Sequence, residues 1–344
     1  MLNQLINILR FLVFLSFHIF YFSPIFYGNL KAELTYQSQL GSNQKWFDQK
    51  LSEKENLKNL IFHLSKSKHG QKLLKEAEIK SFENNSSLID NLKVGNGSLT
   101  DTSLIRRFGA NNPFEVEYIV QTTIYINRDL DPYSAILDLS HELVHYIYRP
   151  TFNPYQNPIN KKDFIISTLE GQGGEVQAFI NECMVLSELF PRSIHKKYNC
   201  HLVTDQSTGI INADLAKKLF YQVGPYFQQF TDHLNDYHSE HHKHQGHENI
   251  HAEFPHLSND RVVFVSSAWS LPYPLSAQRE YEEIMSKVCQ NDLKRLSYIQ
   301  ATYQKSDSDL PSKNQPSPER SIASLGTKAQ FWVEDFQKRC SSFL

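Results

Sequence analysis

Clusters of positive charge are missing from this chain, and their absence excludes one broad class of partner. The 344 residues carry 35 lysines and arginines against 37 aspartates and glutamates, which gives a formal net charge of −2. Proteins that bind nucleic acid need a positive surface, because contacts to phosphates supply most of the nonspecific affinity. We therefore expect no nucleic-acid partner.

Charge is also scarce at the start of the chain. Arg10 is the single basic residue among the first ten, and a mostly apolar run follows from Phe11 to Tyr27. This order predicts a secretory signal over residues 1–32, with an uncleaved N-terminal membrane anchor as the alternative. No cysteine closely follows the run, so a lipoprotein anchor is not expected. Either way, the sequence predicts that the rest of the chain is extracytoplasmic, either secreted or periplasmic.

Cysteine is scarce, and no C-x-x-C pair is present, so a cysteine-ligated zinc site is not expected. An even number of cysteines in an exported chain suggests two disulfides. Sequence proximity favours Cys183–Cys200 and Cys289–Cys340 among the three pairings that four cysteines allow. Buried free thiols are the alternative.

One stretch carries the arrangement H-E-x-x-H: His141, Glu142 and His145. Two histidines four residues apart lie on the same side of a helix, so both can bind one Zn²⁺. Glu142 would lie beside the open coordination position, where it can act as general base and then general acid.

The surrounding residues support a helix from Tyr133 to Arg149. Pro132 and Pro150 bracket it. Two histidines and a glutamate on a mostly buried helix would be costly without a metal or other partners. The apolar positions that predict burial are Ile136, Leu137, Leu139, Leu143, Val144 and Ile147.

Two histidines leave the metal in need of a third protein ligand. A metzincin would require glycine at 148 and histidine at 151, where this chain has Tyr148 and Thr151. A glutamate on a following helix is the other common solution. Glu175 fits, because it begins a helical segment directly after the glycine-rich stretch at residues 171–174. The alternative third ligands are Glu170 and Glu182.

These residues resemble the gluzincin group of zinc peptidases, with Glu175 to Ala178 similar to its glutamate helix. The resemblance covers about residues 118–189, and it implies a zincin-like fold, one catalytic Zn²⁺ and an edge strand that binds extended peptide. Many members carry an acidic residue four positions after the glutamate ligand, whereas this chain has Phe179. Support for the histidine rings must therefore come from elsewhere, and Asp138 is a candidate.

The sequence thus predicts an α+β, zincin-like protein that is mostly helical around a small sheet, and a zinc metallopeptidase acting on peptides or proteins. A membrane would be involved only through an uncleaved anchor. A tyrosine, histidine or arginine usually stabilises the oxyanion. Spacing does not choose among the candidates, which are Tyr221, Tyr226, His195, His201 and Tyr281.

The organisation we predict is a helical region at 33–112, a catalytic domain at 113–304, a disordered linker at 305–327 and a C-terminal helix at 328–344. Residues 46–82 have the pattern of a helical hairpin, and residues 83–102 that of a loop. Residues 114–127 alternate and predict a strand, at the sheet edge or inside the core. Residues 261–265 also have strand character, and residues 278–303 predict a long helix.

The insertion at 233–256 is rich in histidine, which raises an alternative of a different class. Such tracts can capture metal ions, so the chain could be an extracytoplasmic metal-binding or metal-buffering protein. A disordered polar insertion is the plainer interpretation. A third alternative is a catalytically silent zincin used for binding.

Overall fold

The computed structural model describes residues 45–109, 115–156, 159–190, 196–205, 207–232, 234, 250–308, 327–341 and 343. This part of the chain is α+β. Its elements in chain order are α1 (Glu53–Leu64), α2 (Lys68–Glu83), β1 (Leu92–Gly95), β2 (Leu99–Phe108), β3 (Val116–Asn127), α3 (Pro132–Tyr148), α4 (Lys161–Glu170), α5 (Glu175–Leu189), α6 (Ala213–Phe220), α7 (Ile250–Glu253), α8 (Tyr273–Ser308) and α9 (Thr327–Cys340).

Helix α3 is the centre of the fold. Asp131 caps its N-terminus by accepting a hydrogen bond from the backbone N–H of Ser134, and Pro132 occupies the first turn, where it removes no helical hydrogen bond. The helix packs against α1, α2, α5 and β3. Five of its apolar side chains have no exposed surface: Ala135, Leu137, Leu139, Leu143 and Val144.

The described strands form one sheet in the order β1-β3-β2. The central strand, β3, pairs in parallel with β1 and antiparallel with β2. Ile124 and Ile126 of β3 are fully buried, because this end of the strand packs into the main core. The strand predicted at 114–127 is therefore internal, and the edge interpretation of it was wrong.

The two predicted disulfides, Cys183–Cys200 and Cys289–Cys340, are both present. The first joins α5 to the short 3₁₀ helix Cys200–Leu202. The second joins α8 to α9, and both of its cysteines are fully buried. Two disulfides indicate an oxidising environment, in agreement with an extracytoplasmic location.

The helical hairpin, the helix that begins at Glu175 and the two late helices are confirmed. The loop predicted at 83–102 was wrong in part, since it contains β1 and the start of β2. Pairing with β3 stabilises these residues, and local composition does not record that long-range contact. Strands β2 and β3 pair across the boundary predicted between residues 112 and 113.

Two other predictions differ from the structure. Residues 261–265 form no strand: Val265 makes only an isolated bridge to Pro272. Helix α8 continues to Ser308, four residues into the predicted linker. The predicted signal, nearly all of the rest of the linker and most of the histidine-rich insertion lie outside the described residues. In the part of the chain that the structure covers, no helix is long and apolar enough to cross a membrane.

Candidate metal centre

Helices α3 and α5 bring His141, His145 and Glu175 together. Each residue offers one ligand atom, and the three atoms lie within 4.8 Å of one another, so the group could hold a metal ion. Nε2 of His141 lies 3.3 Å from Oε2 of Glu175, and Nε2 of His145 lies 3.5 Å from Oε1. Both Nε2 atoms therefore face the same carboxylate.

The other ring nitrogen of each histidine has an acceptor of its own. Nδ1 of His145 lies 2.7 Å from the backbone oxygen of Gly173, and Nδ1 of His141 lies 3.3 Å from Oε2 of Glu182. A carbonyl or a carboxylate can only accept, so Nδ1 carries the hydrogen in each ring. Each Nε2 is then the atom that would bind a metal once it has released any proton that it carries, and this is the arrangement that surrounding groups impose on metal-bound histidines.

Gly173 is suited to this position by its lack of a side chain. Its φ is +69°, a conformation that other residues rarely adopt, and an added Cβ would lie 2.3 Å from the backbone nitrogen of Arg149. The glycine thus lets its own carbonyl approach the end of α3 and contact His145.

The electrostatics of the group show strong coupling between His141 and Glu175. Burial disfavours the charged ring of His141, but the hydrogen-bonding carboxylates of Glu175 and Glu182 outweigh it and hold its pKa well above the ordinary value. Burial likewise opposes the charged form of Glu175, but His145 and His141 hold the pKa of that carboxyl well below its usual range. Glu175 therefore presents an ionised carboxylate, as metal ligation requires.

Glu142 lies on α3 between the two histidines and is 7 % exposed. Its Oε2 accepts a hydrogen bond of 2.7 Å from the hydroxyl of Thr100 on β2, and the same hydroxyl lies 3.0 Å from its backbone oxygen. The strand therefore contacts the residue that the sequence assigns as general base.

The alternative ligands occupy other places. Glu170 pairs with Lys217 at 3.0 Å and is not a member of the three-residue group. Glu182 contacts His141 through Nδ1, on the side of the ring away from Glu175. Asp138 is the sequence-based candidate for orienting a histidine ring. In the structure, Nδ1 of His141 instead contacts Glu182, and Nδ1 of His145 contacts the carbonyl of Gly173. Burial raises the pKa of Asp138 to about 6.

No protein-family model matches this chain, and neither the curated proteins nor the solved structures contain a significant match. The function must therefore be inferred from the residues themselves.

Sequence reasoning missed two side chains near the metal centre, Tyr273 and Glu280. They are seven residues apart on α8 and therefore lie on the same face of that helix. Burial and the carboxylates of Glu175 and Glu182 raise the pKa of Tyr273 well above its ordinary value. Burial also raises the pKa of Glu280, partly offset by Arg149. Neither belongs to a motif, so only the fold could identify them. Among the predicted oxyanion candidates, Tyr281 donates its hydroxyl to the backbone oxygen of Ile159, and His195 lies outside the described residues.

Proposed function

We propose that this protein is an exported zinc metallopeptidase with a zincin-like, gluzincin-type site. His141, His145 and Glu175 would bind one Zn²⁺, and Glu142 would act as general base and acid. The observation that carries the proposal is the convergence of these three ligand atoms from two helices beside Glu142.

The donor set suits zinc in a catalytic site. Two imidazoles and one carboxylate are ligands that Zn²⁺ prefers, and three protein ligands leave a fourth position for water or substrate. Bonds of about 2.0–2.1 Å in a tetrahedron place neighbouring ligand atoms about 3.3–3.4 Å apart. The carboxylate oxygens of Glu175 lie 3.3 Å (Oε2) from His141 and 3.5 Å (Oε1) from His145, and one ligand atom from each residue lies within 4.8 Å of the others, so a metal ion could draw the three into that geometry.

A bound Zn²⁺ would lower the pKa of a water molecule and polarise the carbonyl of a scissile peptide bond. The residues of this chain would do the rest. Glu142 has a carboxylate that can accept the proton from water and deliver it to the leaving amine. Glu182 and Gly173 would hold the histidine rings in the orientation that directs Nε2 to the metal.

An extended peptide would bind along β2. Among the described strands β2 pairs only with β3, so its other edge is available for hydrogen bonds to an added strand. Thr100 belongs to this strand, and its side chain contacts Glu142. Peptide binding by strand addition therefore remains our proposal, with β2 as the binding strand instead of the strand at residues 114–127.

The metal-buffering alternative depends on the histidine-rich insertion, whose central residues 235–249 lie outside the described part. It predicts several metal ions per chain and no effect of Glu142→Gln. Deleting residues 238–251 separates the two functions, because a peptidase would keep one zinc ion and its activity. A silent zincin would keep the zinc ion and hydrolyse nothing.

The experiment that tests the proposal is hydrolysis of a mixed-sequence peptide library, with cleavage followed by mass spectrometry. The zinc-loaded wild-type protein should cleave peptides, and the chelated protein should not. Glu142→Gln is the matched control, because it should retain zinc while losing activity by several orders of magnitude. An inactive wild type with one bound zinc ion, or an undiminished Glu142→Gln, would contradict the proposal.

A further inference from the structure

The side chain of Thr100 connects strand β2 to helix α3 beside the metal centre. The hydroxyl of Thr100 lies 2.7 Å from Oε2 of Glu142 and 3.0 Å from its backbone oxygen. A carboxylate and a carbonyl both only accept, so the hydroxyl of Thr100 donates. Oε1 of Glu142 is left for other partners.

The position of this hydroxyl is set by the sheet. Thr100 is opposite Ile124 of β3, and Ile124 is fully buried in the main core. Threonine is β-branched, so its χ1 angle is restricted and its hydroxyl cannot easily turn away. The far end of the same strand is also fixed, because Arg106 pairs with the fully buried carboxylate of Asp292 on α8.

We propose that Thr100 is a positioning residue for Glu142: it holds Oε2 so that Oε1 is the oxygen for proton transfer. This inference rests on the proposed peptidase function and deepens it. Because Thr100 belongs to the edge strand, it also couples the orientation of Glu142 to the strand along which a peptide would bind.

Two features explain why the hydrogen bond from Thr100 to Glu142 should affect turnover more than metal binding. Thr100 contacts neither ring nitrogen of His141 or His145, so its loss should leave the zinc ligands in place. A carboxylate that is free to rotate, in contrast, spends less time aligned for proton transfer, and small misalignments reduce rates strongly.

The matched control lies on the neighbouring strand. The hydroxyl of Thr122 on β3 lies 3.2 Å from that of Thr102. Thr122→Val therefore makes the same chemical change in the same sheet, without contacting Glu142 and outside the strand along which a peptide would bind.

The test compares Thr100→Val, Thr100→Ser and Thr122→Val in the full-length, zinc-loaded protein. Thr100→Val should lower kcat about 10-fold to 100-fold, as expected for loss of a hydrogen bond to a charged group. Its KM and its Kd for Zn²⁺ should stay within about twofold of wild type on the same reasoning. Thr100→Ser should restore most of the rate, and Thr122→Val should match wild type. If Thr100→Val does not fold, Thr100→Ala replaces it, because alanine removes the hydroxyl without adding a methyl group.

A second readout does not depend on activity. Crystal structures of the zinc-loaded wild type and Thr100→Val should show the Glu142 carboxylate in different orientations. Equal kcat in Thr100→Val and Thr122→Val, or an unmoved Glu142 carboxylate, would overturn the inference while leaving the peptidase function intact. If the wild type cleaves no peptide, the proposed function fails, and the two crystal structures alone decide the role of Thr100.

Discussion

Glu182 lies 3.3 Å from Nδ1 of His141 and accepts its hydrogen bond. It follows Glu175 by seven residues on α5, and two helical turns place both glutamates on the same face. The ring of His141 is thus held between two carboxylates of one helix, with Nε2 toward Glu175. The gluzincin resemblance would place this support four residues after the ligand, where Phe179 is buried in the core.

Removing the carboxylate of Glu182 should weaken metal binding without removing a ligand. We expect Glu182→Ala to raise the Kd for Zn²⁺ about 10-fold to 100-fold, the usual effect of losing a group that orients a ligand. Competition with a fluorescent chelator measures this directly. An unchanged Kd would show that Glu182 does not orient His141.

Glu188 on the same helix provides the control for that experiment, and its substitution also gives a separate prediction about stability. It accepts hydrogen bonds from the hydroxyl of Ser67 and the backbone of His69, and so connects α5 to the start of α2. Glu188→Ala should lower the free energy of unfolding by about 1–3 kcal/mol. Denaturant unfolding should show this loss, whereas the Kd for Zn²⁺ should be that of wild type; a weakened Kd would contradict the separation of roles.

Asp292 holds the C-terminal helix to the sheet. Its fully buried carboxylate pairs with Arg106 of β2 and with Arg339 of α9, next to the disulfide at Cys340. Asp292→Asn would leave the buried guanidinium of Arg106 without this counter-charge and that of Arg339 with only the half-exposed Asp335. We therefore expect a loss of about 3–5 kcal/mol in unfolding free energy. Asp335→Asn removes the half-exposed partner of Arg339 and should cost under about 1 kcal/mol. Similar losses for the two variants, measured by urea denaturation, would contradict this account.

Asp138 should make the metal-free protein sensitive to pH. Burial raises the pKa of its carboxyl to about 6, so the folded state binds this proton more tightly than the unfolded state. Its contribution to stability is therefore complete below the unfolded pKa of about 4 and is lost as the pH rises through about 6. Asp138→Asn should raise the melting temperature by about 2–4 °C at pH 7.5 relative to wild type, and by less at pH 5. Calorimetry in the presence of a chelator tests this, and a larger gain at pH 5 would reverse the sign and contradict it.

The parts of the molecule that the sequence could predict are those with local signals. The spacing of His141 and His145, with prolines at both ends, identified α3, and the glycine-rich stretch before Glu175 identified the start of α5. Sequence proximity was enough to predict both disulfides. Each of these features depends on residues close together in the chain.

The features that sequence reasoning missed depend on distant contacts. The local composition around Thr100 predicts a loop, and only the pairing of this segment with β3 makes Thr100 part of a strand. Pairing of β3 with both β1 and β2 makes β3 internal and β2 an edge strand of the described sheet. Glu182 was considered only as a ligand, because its seven-residue spacing from Glu175 belongs to no known pattern. Tyr273 is 98 residues from Glu175 in the chain, and no spacing rule connects them.

The measurement that tests the central claim most directly is zinc stoichiometry by elemental analysis of the wild type, Glu175→Ala and Glu170→Ala. Glu170 is the matched control, because it precedes the same glycine-rich stretch but pairs with Lys217. We predict one zinc ion per chain in the wild type and in Glu170→Ala, and loss of zinc in Glu175→Ala. Zinc retained in Glu175→Ala, or lost in Glu170→Ala, would contradict the metal centre formed by His141, His145 and Glu175.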